Sequence, residues 1–60
     1  MFYVYWTNFD YRSQEDFSTV DAALSYIKSK CFEGQVRHPD HGLIVAWSPI
    51  GGCRYYKRGL

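Results

Sequence analysis

The sequence predicts a small α+β domain in which one helix packs on a mainly antiparallel sheet of four strands, with the elements in the order β-α-β-β-β. Three observations carry this expectation. One stretch, residues 18–30, repeats its apolar residues with helical period. Four other stretches are rich in β-branched and aromatic residues. Two connections carry hairpin turn chemistry, Pro39-Asp40-His41-Gly42 and Ser48-Pro49-Ile50-Gly51-Gly52. At 60 residues the chain forms one domain, residues 1–60, close to the lower size limit for independent folding.

Phe2-Tyr3-Val4-Tyr5-Trp6-Thr7 contains neither Gly nor Pro and reads as the first strand. Phe2, Val4 and Trp6 fall on one face, Tyr3, Tyr5 and Thr7 on the other. Both faces are largely apolar, so the strand is either covered on both sides or offers one face as a contact surface. Residues 8–17 carry Asp10, Arg12, Glu15 and Asp16 and read as a loop, long for so small a domain and therefore a functional candidate. Phe9 and Tyr11 in it either fold back onto the core or are exposed binding residues.

The helical stretch places Val20, Ala23, Leu24, Ile27 and Cys31 on one stripe. Ser18 is the expected N-cap, with Asp21 three residues on, and Phe17 with Ala22 is the expected staple. Asp21 at the start and Lys28 and Lys30 at the end suit the helix dipole. Residues 32–38 read as a strand with Phe32, Gly34, Val36 and His38 inward and Glu33, Gln35 and Arg37 in solvent. Leu43-Ile44-Val45-Ala46-Trp47 has almost no polar side chain and reads as a central strand. Residues 53–58 form the last strand, with Cys53, Tyr55 and Lys57 facing one way and Arg54, Tyr56 and Arg58 the other. The first strand is free to pair at either edge of the following meander. The expected core is Val4, Trp6, Val20, Ala23, Leu24, Ile27, Val36, Leu43, Val45 and Trp47.

Composition excludes several classes. At 47% hydrophobic and 20% aromatic the chain is not disordered. No run approaches the roughly 18 apolar residues of a membrane span, and the strand-like start is unlike a signal peptide, so a cytoplasmic protein without membrane contact is expected. Two cysteines are then too few for a disulfide framework, and Cys31 and Cys53 are expected to behave as small buried hydrophobes.

The soft ligands Cys31, His38, His41 and Cys53 follow the pattern C-x6-H-x2-H-x11-C. It lacks a paired knuckle and matches no zinc module, so neither a metal nor a cofactor is expected. A thiol-histidine pair built on Cys53 would still need an oxyanion site and a substrate cavity that a chain this short does not advertise. Asp40-His41 in the turn reads as turn chemistry and Glu15-Asp16 as a solvated charge pair. The Gly-rich turn at residues 48–52 opens onto a strand rather than onto the helix a phosphate loop requires. The expectation is therefore not an enzyme.

The feature richest in binding chemistry is Arg54-Tyr55-Tyr56-Lys57-Arg58. Basic residues interleaved with aromatics suit single-stranded nucleic acid; they equally suit an edge strand whose charges block aggregation. Charge is unevenly placed: residues 8–21 hold four acids against Arg12, and residues 28–60 hold six basic residues against Glu33 and Asp40. Such asymmetry orients a protein partner or a second subunit. One helix covers one face of a sheet, which leaves Tyr3, Tyr5, Ile44 and Tyr56 on the other. That patch is expected to pair two copies of the chain, with Ile44 near its centre. The leading expectation is a non-enzymatic protein-binding module that occludes or regulates a larger partner, and a homodimer. The alternative is a single-stranded nucleic-acid binder using Arg54, Tyr55, Tyr56, Lys57 and Arg58. No motif identifies a family; in general style the chain resembles small inhibitory or regulatory proteins of phages and mobile elements.

Overall fold

The computed structural model describes residues 1–59. Strand β1 (Phe2–Trp6) turns directly into a second strand, β2 (Tyr11–Phe17), before the chain enters helix α1 (Val20–Lys30). Strands β3 (Gly34–His38), β4 (Gly42–Ser48) and β5 (Gly52–Tyr55) follow as a meander. The order across the sheet is β2-β1-β3-β4-β5, and every neighbouring pair is antiparallel. The α+β class thus holds, but with five strands in the order β-β-α-β-β-β instead of four.

The extra strand is β2, drawn from the stretch that reads as a loop. It lies at the edge of the sheet, where hydrogen bonds to β1 hold the backbone while most side chains remain in water. Its charged composition suits that position, because an exposed edge must resist pairing with other chains. A bulge hides its period: Tyr3 pairs with Asp16 and Tyr5 with Arg12, so β2 runs two residues longer than β1 between these pairs. Within the bulge Ser13 is buried, and its hydroxyl accepts from the Glu15 amide at 3.2 Å. The β1–β2 turn closes on Asp10, whose φ of 49° lies in the left-handed region that Asp tolerates better than most residues.

The helix begins one residue later than its sequence suggests. Thr19, not Ser18, is the N-cap, with Oγ1 accepting from the Ala22 amide at 3.1 Å. That shift removes the expected staple, and Phe17 packs instead on Tyr26, with ring centroids 5.3 Å apart. Ala23, Leu24 and Ile27 are buried against the sheet. Cys31 is not the fifth member of the stripe. It ends the helix at φ 59°, its amide donating to the Lys28 carbonyl at 3.2 Å, and its side chain is exposed. Cys53 is exposed too, since α1 packs on β1, β2, β3 and β4 and, among the described residues, makes no contact with β5. Neither thiol is therefore a buried hydrophobe.

Beneath the helix, Gly34 permits the closest approach. A Cβ at that position would lie 3.2 Å from three atoms of Ile27. At the opposite end of β3, Gly42 takes φ 76° to close the hairpin, as the sequence predicts.

The strand at 42–48 departs from strict alternation. Val36 pairs with Val45 but Arg37 pairs with Leu43, so Ile44 is the extra residue of a bulge. Ile44 and Val45 both enter the core, at 1% and 0% exposure, while Leu43 shares the face of Arg37 and is only half-buried. Two expectations are corrected by this one residue: Leu43 leaves the core and Ile44 joins it. The centre of the sheet is β3, and β4 is covered by the helix on one face only. The core comprises Val4, Trp6, Ala23, Leu24, Ile27, Val36, Ile44 and Val45, with Val20 and Trp47 partly buried beside it. Among the described residues no helix is long and apolar enough to cross a membrane.

Candidate functional site

The face of the sheet away from α1 carries Arg12, Tyr5, Gln35, Ala46 and Arg54 in one row across the five strands. Asp16, Tyr3, Arg37 and Leu43 form the neighbouring row. Arg12 stands opposite Tyr5 but lies 4.2 Å over the ring of Tyr3. Arg37 stands opposite Tyr3 but lies 4.6 Å over the ring of Tyr5. The two guanidinium groups thus take diagonal partners and shield both tyrosines, each contact contributing on the order of 0.5–1 kcal/mol. The sequence suggests that the rings of β1 need a foreign cover, whereas the chain covers much of them itself. Arg37 is further held by its Nε, which donates to Gln35 Oε1 at 2.8 Å. Arg12 reaches Asp16 at 3.5 Å, and the Tyr5 hydroxyl donates to Asp10. That hydrogen bond to a carboxylate, with lesser desolvation and charge effects, raises the Tyr5 pKa above its ordinary value.

The basic-aromatic tail does not form one platform. The Ile44 carbonyl accepts from the Tyr56 amide at 2.8 Å and the Lys57 amide at 3.1 Å, which stops the ladder after Tyr55. Arg54 and Tyr56 line a groove on the open face. Tyr55, Lys57 and Arg58 line a different groove, between β5 and the first turn of the helix, and the Arg58 guanidinium lies 5.2 Å from the Tyr55 ring centroid. Ile44 forms part of that second groove from the core side and does not reach the open face. Of the predicted patch, Tyr3 and Tyr5 belong to the open face and Tyr56 borders it; Ile44 does not.

One end of the sheet carries exposed apolar residues that no sequence pattern groups together. The β1–β2 turn, the segment joining α1 to β3 and the β4–β5 turn all lie at the end where Trp6, Gly34 and Trp47 are aligned. Each exposes a bulky apolar residue: Phe9 at 60%, Phe32 at 49%, and Ile50 wholly in solvent. Phe9 and Phe32 meet edge to face at 5.5 Å, and Phe32 continues onto Trp6 at 6.4 Å. Tyr11, half-exposed, pairs with Trp6 at the start of β2. The sequence signal for Phe9 and Tyr11 is their apolar character within a polar stretch; Phe32 gives none, because the alternation of residues 32–38 places it on the inward face of a strand.

The four soft ligands do not meet. The rings of His38 and His41 lie 4.7 Å apart, tilted by 46°, at the β3–β4 turn, whereas Cys31 and Cys53 lie toward the other end of the sheet. Among the described residues no group of three or more His, Cys, Asp or Glu side chains is gathered as a metal site would require. No family model matches the chain, and no curated protein or solved structure is significantly similar to it.

Proposed function

We propose that the chain is a small non-enzymatic binding module that docks a larger protein through the apolar end of its sheet, and so occludes or regulates that partner. The observation that carries this reading is that three separate connections at one end of the sheet each expose a bulky apolar residue, Phe9 and Phe32 in contact and Ile50 toward the other edge. A domain this short has few apolar side chains to spare for solvent. Covering a residue such as Ile50 or Phe9 on a partner is worth roughly 1.5–3 kcal/mol each. Ile50 sits in a hairpin turn and protrudes, so its complement is a concave apolar pocket, the setting in which interface anchors contribute most. The open face is a weaker candidate for such a contact, because Arg12 and Arg37 already shield its rings.

Two variants test the reading, Phe9→Asp and Ile50→Asp. Ile50 is wholly in solvent, so Ile50→Asp is expected to melt like the parent, while Phe9→Asp also gives up the edge contact with Phe32 and is expected to melt somewhat lower. Affinity capture from nuclease-treated extract of the source cells should retain a protein on the parent and lose at least about tenfold of it on either variant, the effect of removing one anchor. Equal retention by parent and variants overturns the assignment. Sedimentation equilibrium covers the remaining occupant: a parent dimer that Ile50→Asp dissociates replaces the foreign partner with a second copy of the chain.

A further inference from the structure

A groove of about 300 Å³ opens on the sheet face away from the helix, above Ala46. Gln35 bounds it on the β3 side and Arg54 and Tyr56 on the β5 side, with Thr7 and Glu33 at its end. It exists because Ala46 is small where its row neighbours are long. Phe9, Phe32 and Ile50 do not line this groove, although Gly51, next to Ile50, does.

Three features define what the groove takes. The first is unspent positive charge. Among the described residues Arg54, which lines the groove, has no carboxylate within ion-pair distance; Arg37 lies outside the lining and is held by Gln35 and the Tyr5 ring. Two acids are engaged on the β2 side, where Asp16 meets Arg12 and Asp10 receives the Tyr5 hydroxyl, and Glu33 stands at the end of the groove itself. The second is a flat wall. Tyr56 is 53% exposed, and no aromatic ring or cation stacks on it among the described residues, unlike Tyr3, Tyr5 and Tyr55. The third is hydrogen-bonding capacity of both signs. Gln35 Oε1 is taken by Arg37, which leaves the amide N–H₂ as donor, and Glu33 offers acceptors.

A ligand with a planar face, a mixed donor and acceptor edge and regularly repeated negative charge is a single-stranded nucleic acid. A duplex hides its bases, and a carboxylate-rich peptide leaves Tyr56 and Glu33 unused. We propose that this groove seats one base of single-stranded nucleic acid against Tyr56, with the phosphate backbone crossing Arg54. The site differs from the C-terminal tail that the sequence singles out: Lys57 and Arg58 face the other groove and take no part.

Fluorescence anisotropy with labelled oligothymidylate tests this. Each phosphate neutralised on a single strand steepens the dependence of log K on log salt by about 0.7. Arg54→Gln is therefore expected to lower that slope by about 0.7. Tyr56→Ala is expected to weaken binding by about 5- to 100-fold at unchanged slope, as loss of one stacking partner does. Retention of the parent's chemical-shift dispersion shows that both variants fold. The proposal is overturned by absence of binding at low salt, by equal binding of polyglutamate, or by a slope that falls with the Lys57→Gln/Arg58→Gln double variant and not with Arg54→Gln. None of those outcomes bears on the apolar end, since Phe9 and Ile50 lie outside the groove.

Discussion

Truncating two adjacent residues, Leu43 and Ile44, distinguishes the bulged strand from a regular one. In a regular strand starting from the same hydrophobic pattern, Leu43, Val45 and Trp47 point inward, and Leu43→Ala is the costly change. In the structure Ile44 is 1% exposed and belongs to the core with Val45, while Leu43 stands opposite Arg37 and is half-buried. Ile44→Ala is therefore expected to cost about 2–5 kcal/mol, the range for buried aliphatic truncation with incomplete collapse of the cavity. A domain of this size holds roughly 3–9 kcal/mol in all, at about 0.05–0.15 kcal/mol per residue. The variant should thus lose most of its stability. Its Tm should fall by roughly 8–40 °C, at about 4–8 °C per kcal/mol for a domain this small. Leu43→Ala should cost about 1 kcal/mol or less, because much of that side chain is in water already. Urea and thermal unfolding followed by far-ultraviolet circular dichroism and tryptophan fluorescence give both values, with the m-value reporting whether unfolding stays two-state. Equal losses, or a larger loss at Leu43, would refute the bulge and the core drawn from it.

Three further outcomes are expected. Gly34→Ala should destabilise by about 1–3 kcal/mol, since its methyl group presses on Ile27 in a filled core; a variant as stable as the parent in urea would show that α1 has room to move. Cys31→Gly should stabilise by about 1 kcal/mol, because it relieves a left-handed residue at the helix end, and a lower midpoint would contradict the assigned φ of 59°. Tyr5 should titrate above its ordinary value of 10.0 and return toward it in Asp10→Ala, read by phenolate absorbance. Because the folded-state pKa is raised, the stabilising contribution is fully present below the unfolded value and is lost as pH rises through the folded one. The parent should therefore lose more stability than Asp10→Ala in that alkaline window.

Much of the architecture is legible in the sequence because it is written in local periodicity. Val20, Ala23, Leu24 and Ile27 announce a helix by spacing alone. The β-branched and aromatic runs at residues 2–7 and 43–47 announce strands, and the two Gly-bearing turns announce the meander. What escapes is decided by contacts distant in sequence. Residues 11–17 become a strand only because β1 supplies hydrogen-bond partners at the sheet edge, where side chains need no alternation. The register that pairs Val36 with Val45 but Arg37 with Leu43 turns Ile44 inward, and no local pattern encodes a one-residue mismatch between two strands. The same holds for the binding surfaces. The sequence marks Tyr3, Tyr5 and the basic tail as unusual, but only the register shows Arg12 and Arg37 lying over the two tyrosines. Only the topology brings Phe9 against Phe32, more than twenty residues apart in sequence, and puts the turn of Ile50 at the same end of the sheet. Secondary structure was determined by what each residue prefers near its neighbours; the surfaces were determined by which strands lie side by side.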